Sequence, residues 1–153
     1  MDRRSAIQSA GVVLAGAPAA ALSAEDTSVA DSRRHRGMET LNRITQGQGR
    51  AVLDSLADIA PALGDFIVEF GYGDVISRPQ LDVKVRELST VAALAALGNA
   101  QPQLKVHIHG ALNVGASREE VVEILLQTAL YAGFPAAINA VSTARQAFAE
   151  RTG

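Results

Sequence analysis

Apolar residues recur at helical spacing through most of the chain, in runs punctuated by glycine and proline. A first helix is predicted over 38–46, ending at the Gly47/Gly49 pair. A second covers 51–60, with Val52, Leu53, Leu56 and Ile59 on one stripe, before Pro61 restarts the chain. Leu63, Phe66, Ile67 and Phe70 mark a third over 62–70, which Gly71-Tyr72-Gly73 should terminate, and Arg78-Pro79 reads as a turn. The central helix runs from an Asp82 N-cap to Leu97, where Gly98-Asn99 stops it, along a stripe of Val85, Leu88, Val91, Ala92 and Ala95. Pro102 opens a helix that lasts to about 113. Ser117 and Glu120 have the spacing of a capping box for the next, whose inner face is Val121, Ile124, Leu125, Thr128 and Ala129. Gly133-Phe134-Pro135 then breaks the chain, and a last helix reaches about 150 on Ala137, Ile138, Val141, Ala144 and Phe148, widened by Ala136, Ala140 and Ala147. No internal repeat or alternating strand pattern stands out, so the fold class is all-α.

Ahead of this domain, assigned to 38–153, the pattern changes. Residues 1–24 combine a short basic start, a mildly apolar Gly/Ala-rich stretch and small residues before Glu25-Asp26, the layout of a signal peptide. The Arg3-Arg4 pair is similar to that of twin-arginine signals, although Asp2, Ala6 and Gln8 depart from the usual pattern. The expectation is export to the periplasm, with a cytoplasmic protein carrying a loose N-terminal extension as the alternative. The stretch is shorter than the roughly 20 apolar residues of a membrane span. Residues 25–37 read as a polar linker, and its cluster Arg33-Arg34-His35-Arg36 as a solvated turn.

Composition narrows the chemistry. Apolar residues are 48% of the chain but aromatic ones only 4%, which suits close-packed alanine-rich helices better than a β-sandwich. A net charge of −2 leaves no electrostatic footprint for nucleic acid. Without a cysteine there is no disulfide, thiolate metal site or cysteine nucleophile.

Among polar residues, His107 is the first candidate for proton transfer, set among Leu104, Val106, Ile108, Ala111 and Leu112. A lone imidazole on an apolar helix can equally be structural. His109 lies about 200° further round the same helix, so the pair diverges and no metal site is expected. Glu87 has the spacing for a surface pair with Lys84. Arg78 and Arg86 are candidate carboxylate anchors, since a guanidinium grips a carboxylate in a bidentate fork. Tyr131 either donates a hydrogen bond or packs beside the Gly133 break, and Asn113 is expected to cap its helix.

Taken in order, the run Leu-Lys-Val-His-Ile-His-Gly-Ala-Leu-Asn-Val-Gly over 104–115, then Ser-Arg-Glu-Glu over 117–120 and Tyr-Ala-Gly-Phe-Pro-Ala-Ala-Ile-Asn-Ala over 131–140, resembles the carboxymuconolactone decarboxylase family. Glu-Phe-Gly-Tyr-Gly-Asp-Val-Ile-Ser-Arg-Pro over 69–79 is similar to that family's approach to its central helix, and the likeness spans about 37–150. It implies an alkylhydroperoxidase D-like bundle of about six helices, working without a cofactor, assembled as a homotrimer or homohexamer with the site near a subunit boundary. It also implies decarboxylation of a carboxylated lactone or related small organic acid, with His107 as proton donor. The Cys-x-x-Cys pair of the alkylhydroperoxidase D branch is missing, and Ala100 and Gln103 stand there instead, which excludes thiol-based peroxide reduction. Glu87 falls where that branch has a glutamate facing its histidine, whereas decarboxylases often carry a small residue. His109 stands where an arginine is common, and would hold a substrate carboxylate only when protonated. Two alternatives stay open: a related lyase or isomerase of this fold acting on another substrate, and a non-catalytic oligomeric binding protein.

Overall fold

The computed structural model describes residues 19–151, in which seven α-helices and one π-helical segment follow one another without a strand. The helices are α1 (Ala19–Thr45), α2 (Gly49–Asp54), α3 (Pro61–Phe66), α4 (Val83–Leu97), α5 (Gln101–Asn113), α6 (Arg118–Ala132) and α7 (Phe134–Ala149); the π-helical segment, Ile67–Ile76, continues directly from α3. Most of the expected signal sequence, 1–18, lies outside the described residues. Among the described residues no helix is long and apolar enough to cross a membrane.

Local sequence accounts for the later boundaries. Asp82 caps α4 by accepting from the Lys84 amide at 2.8 Å. Ser117 and Glu120 form the expected reciprocal box, with both side chain–backbone bonds present. Gly98 and Gly133 close α4 and α6.

The first half differs from expectation. The stretch 25–37, expected as a linker, is helical and continuous with α1. Its arginines are not a solvated turn: Arg33 grips Asp74 with Nε and Nη2, and Arg34 pairs with Asp65 at 2.5 Å. A helix with a weak apolar stripe is thus held by charge against its neighbour, a cue that apolar periodicity does not carry. Nor does Gly71-Tyr72-Gly73 end a helix. It lies within the π-helical segment, whose wider turn shows in the Ser77 amide bonding the Tyr72 carbonyl at 3.0 Å. Gly37 and Gly73 are there for close approach. A β-carbon on Gly37 would collide with the Val68 carbonyl oxygen, and one on Gly73 would stand 2.6 Å from that of Arg33. The second helix is also shorter than expected, giving way to turns after Asp54 and leaving Ile59 exposed.

Two apolar clusters result. Val91, Ala95, Leu104, Ile108, Val121 and Leu125 join the buried alanines of α7 in one. Leu41, Ile44, Val68 and Tyr72 form the other, between α1 and the π-helical segment. On α7 the inner face is rotated from the expected stripe: Ala137, Ala140, Thr143, Ala144 and Ala147 point inward while Ile138 is exposed.

Candidate active site

Helix α5 places His107 at the seam of the two clusters. Its Nδ1 lies 2.9 Å from Oε2 of Glu87, which stands on α4 and is 0% exposed. The other Glu87 oxygen, Oε1, is buried with no hydrogen-bond partner among the described residues. Glycine at 110 makes this possible, because a β-carbon there would come within 2.8 Å of both Glu87 Oε2 and Ile44 Cγ2. Glu87 is therefore not the surface partner of Lys84, whose ammonium instead meets Glu120 at 2.9 Å.

The His107 side chain keeps 20% of its surface and looks into a cleft of about 310 Å³. Leu41, Val52, Leu53, Ile67 and Val106 give the cleft apolar walls. Its polar edges are Thr45, Tyr72, Gln103 and His107, and no lysine or arginine lines it. Thr45 is occupied by its own backbone, donating to the Leu41 carbonyl and accepting from the Gly49 amide. With Nδ1 committed to Glu87, the second ring nitrogen of His107 is the one free for chemistry. A carboxylate behind an imidazole fixes the tautomer and stabilises the protonated ring. The dyad can thus take up or deliver a proton at the edge of an apolar cleft.

Tyr72 was not singled out by its sequence, because a tyrosine between two glycines reads as a turn. The π-helical segment carries it inward to 7% exposure. Burial foremost, with the Glu87 charge adding to it, pushes its phenol well above the ordinary tyrosine range, so the hydroxyl stays protonated.

The other sequence candidates are not brought to this cleft within one chain. Arg86 donates through Nη2 to the Arg78 carbonyl at 3.1 Å, and its buried Nε has no partner. Arg78 is exposed on the turn that Arg86 pins. His109 turns to Glu150, 2.9 Å away, in a separate polar cleft shared with Lys105 and Arg151. Tyr131 is 86% exposed at the end of α6. Asn113 does not cap its own helix end; its amide donates to the Ile44 carbonyl and its oxygen accepts from Arg151. Among the described residues, no three His, Asp or Glu side chains converge as a metal site would require.

A family model described as "Carboxymuconolactone decarboxylase family" matches residues 61–146, more than half of the chain. The chain belongs to the carboxymuconolactone decarboxylase family. The matched span holds Tyr72, Glu87 and His107 together. Over 96 residues the chain is 38% identical to a 4-carboxymuconolactone decarboxylase of Acinetobacter baylyi, covering 63% of this chain and 71% of that protein. An uncharacterized 15.0 kDa protein of Paracoccus denitrificans is 31% identical over 97 residues, 63% of this chain and 72% of its own. A nitrosuccinic acid decarboxylase of Metarhizium robertsii is 36% identical over 77 residues, 50% of this chain and 53% of that protein. Two relatives named for decarboxylation of different small acids support a carboxy-lyase at the level of the family.

Proposed function

We propose that this protein decarboxylates a carboxylated lactone or related small organic acid, with His107 as the proton donor. The observation that carries this reading is the pair of buried Glu87 and half-buried His107 opening on an apolar cleft. A carboxylate drawn into apolar surroundings is poorly solvated, and loss of carbon dioxide relieves it. In an unsaturated lactone the electrons left behind pass to the lactone carbonyl. Protonated His107, held by Glu87, then delivers a proton to the carbanion-like carbon.

The size of the cleft suits a small ring rather than an extended ligand. As no lysine or arginine among the described residues lines it, a second substrate carboxylate would be met by a group of a neighbouring subunit, for which the exposed Arg78 is the candidate. The exposed apolar residues of α6 and α7, Leu130, Phe134 and Ile138 among them, favour an assembly of three or six chains that would bring such groups near.

Carboxymuconolactone and nitrosuccinate should be offered separately to the purified protein, with carbon dioxide release as the readout. The expected result is turnover of the lactone, at a rate that His107→Ala lowers by roughly 10²–10⁴-fold. Release from neither acid, by a folded and assembled protein, would overturn the reading.

A further inference from the structure

Three polar groups at the cleft have hydrogen-bonding capacity left: the second ring nitrogen of His107, the Gln103 amide and the Tyr72 hydroxyl. Gln103 is exposed at the edge. Tyr72 is different, since its ring is buried at 7% exposure while its hydroxyl bonds to no protein group among the described residues and is not among the sealed polar atoms, so it is open to the cleft that the residue lines. The backbone is also committed to keeping this ring in place. The π-helical segment turns Tyr72 inward, and the close approaches of Gly37 to Val68 and of Gly73 to Arg33 fix that segment against α1. An unpaired phenol fixed on the same small cleft as the proton-transfer histidine is placed to serve a ligand.

Resting on the decarboxylase reading above, we propose that Tyr72 is a further catalytic residue, donating a hydrogen bond to the carbonyl oxygen that becomes an enolate. A second activity follows from reversibility of the last step. The protein exchanges the carbon-bound hydrogen beside the carbonyl of a small β,γ-unsaturated lactone, where that carbon is saturated, with solvent, without any carboxylate to lose. In that exchange His107 takes the proton from carbon, and the C–H electron pair moves into the carbonyl to make the enolate. Tyr72 steadies the enolate oxygen without giving up its proton. His107 exchanges its proton with water and returns a solvent hydron to the same carbon, and the carbonyl reforms. No oxidant or other co-reactant is needed. Because the phenol is held protonated by burial and by the Glu87 charge, it remains a donor at neutral pH.

The test is proton nuclear magnetic resonance of a plain β,γ-unsaturated γ-lactone in deuterium oxide, with and without the intact protein. Wild type should exchange the hydrogen beside the carbonyl well above the buffer rate. Tyr72→Phe, which keeps the ring, should lower that rate about 10²-fold, the usual effect of deleting an oxyanion donor. Tyr72→2,3-difluorotyrosine keeps the ring and strengthens the acid, so it should raise the rate; this arm serves even where the phenylalanine variant folds poorly. No exchange by wild type, an unchanged rate in Tyr72→Phe, or no gain from the fluorinated residue would overturn the proposal. Decarboxylation measured on the same preparations separates the two readings. Tyr72-dependent exchange without decarboxylation keeps the proposed role of Tyr72 and removes the decarboxylase assignment, whereas decarboxylation without exchange does the reverse.

Discussion

A single methyl group at position 110 would stand 2.8 Å from Glu87 Oε2, so the site depends on an absent side chain as much as on those present. A mid-helix glycine ordinarily costs about 0.5–1 kcal/mol relative to alanine. Gly110→Ala should nevertheless destabilise the protein and lower turnover together, by forcing Glu87 off His107; thermal melting and carbon dioxide release would read the two effects. A variant more stable than wild type and equally active would show that Glu87 does not need the space. Glu87→Ala should cost more, because it removes the acceptor of His107 and leaves a hole in the core. His107 was legible in the sequence, as an imidazole among apolar neighbours on a well-bounded helix. Glu87 was legible only through its family position, since spacing alone favoured a surface pair with Lys84. Tyr72 was not legible, because Gly-Tyr-Gly looks like a turn unless one knows that the glycines serve close packing.

Among the elements, α4 to α7 follow from their caps and breaks, which are local signals that tertiary context does not overrule. The π-helical segment escapes a period-3.6 reading, as a wider turn shifts every side chain after it to another face. The part of α1 ahead of residue 38 escapes it too: the expected helix over 38–46 docks through Leu41 and Ile44, whereas the stretch before it is tied by Arg33–Asp74 and Arg34–Asp65. Charge also ties the later helices. Lys84, foremost, holds the Glu120 carboxyl below its ordinary value of 4.5, and Lys105, followed by His109, does the same for Glu150. A carboxyl depressed in the folded state contributes stability that is present above its unfolded value and lost as pH falls through the folded one. Melting temperature should therefore decline from neutral pH towards about pH 3, and less steeply in a Glu120→Gln, Glu150→Gln double variant. Identical slopes for the two proteins would show these ties to be energetically idle.

At the scale of the whole molecule, the described chain leaves much apolar surface uncovered. Leu126, Leu130, Tyr131, Phe134 and Ile138 are exposed around the α6–α7 junction, and Leu63, Phe66 and Phe70 on α3 and the segment after it. The sequence already showed helices with apolar residues on more than one face, but it could not say which face turned outward. Ile138, assigned to the inner stripe, is outside. Light scattering should give a mass of three or six chains, and Leu130→Glu with Ile138→Glu should reduce it to one. A wild-type protein that stays monomeric at micromolar concentration and is active would show that these residues are not an interface.

We propose above that the Glu87–His107 pair performs the proton transfer of a decarboxylation. Its most direct test is the rate of carbon dioxide release from carboxymuconolactone by wild type and by His107→Ala, at equal concentrations of folded, assembled protein. Wild type should turn the acid over, and the variant should be roughly 10²–10⁴-fold slower. A variant within a few-fold of an active wild type would contradict it.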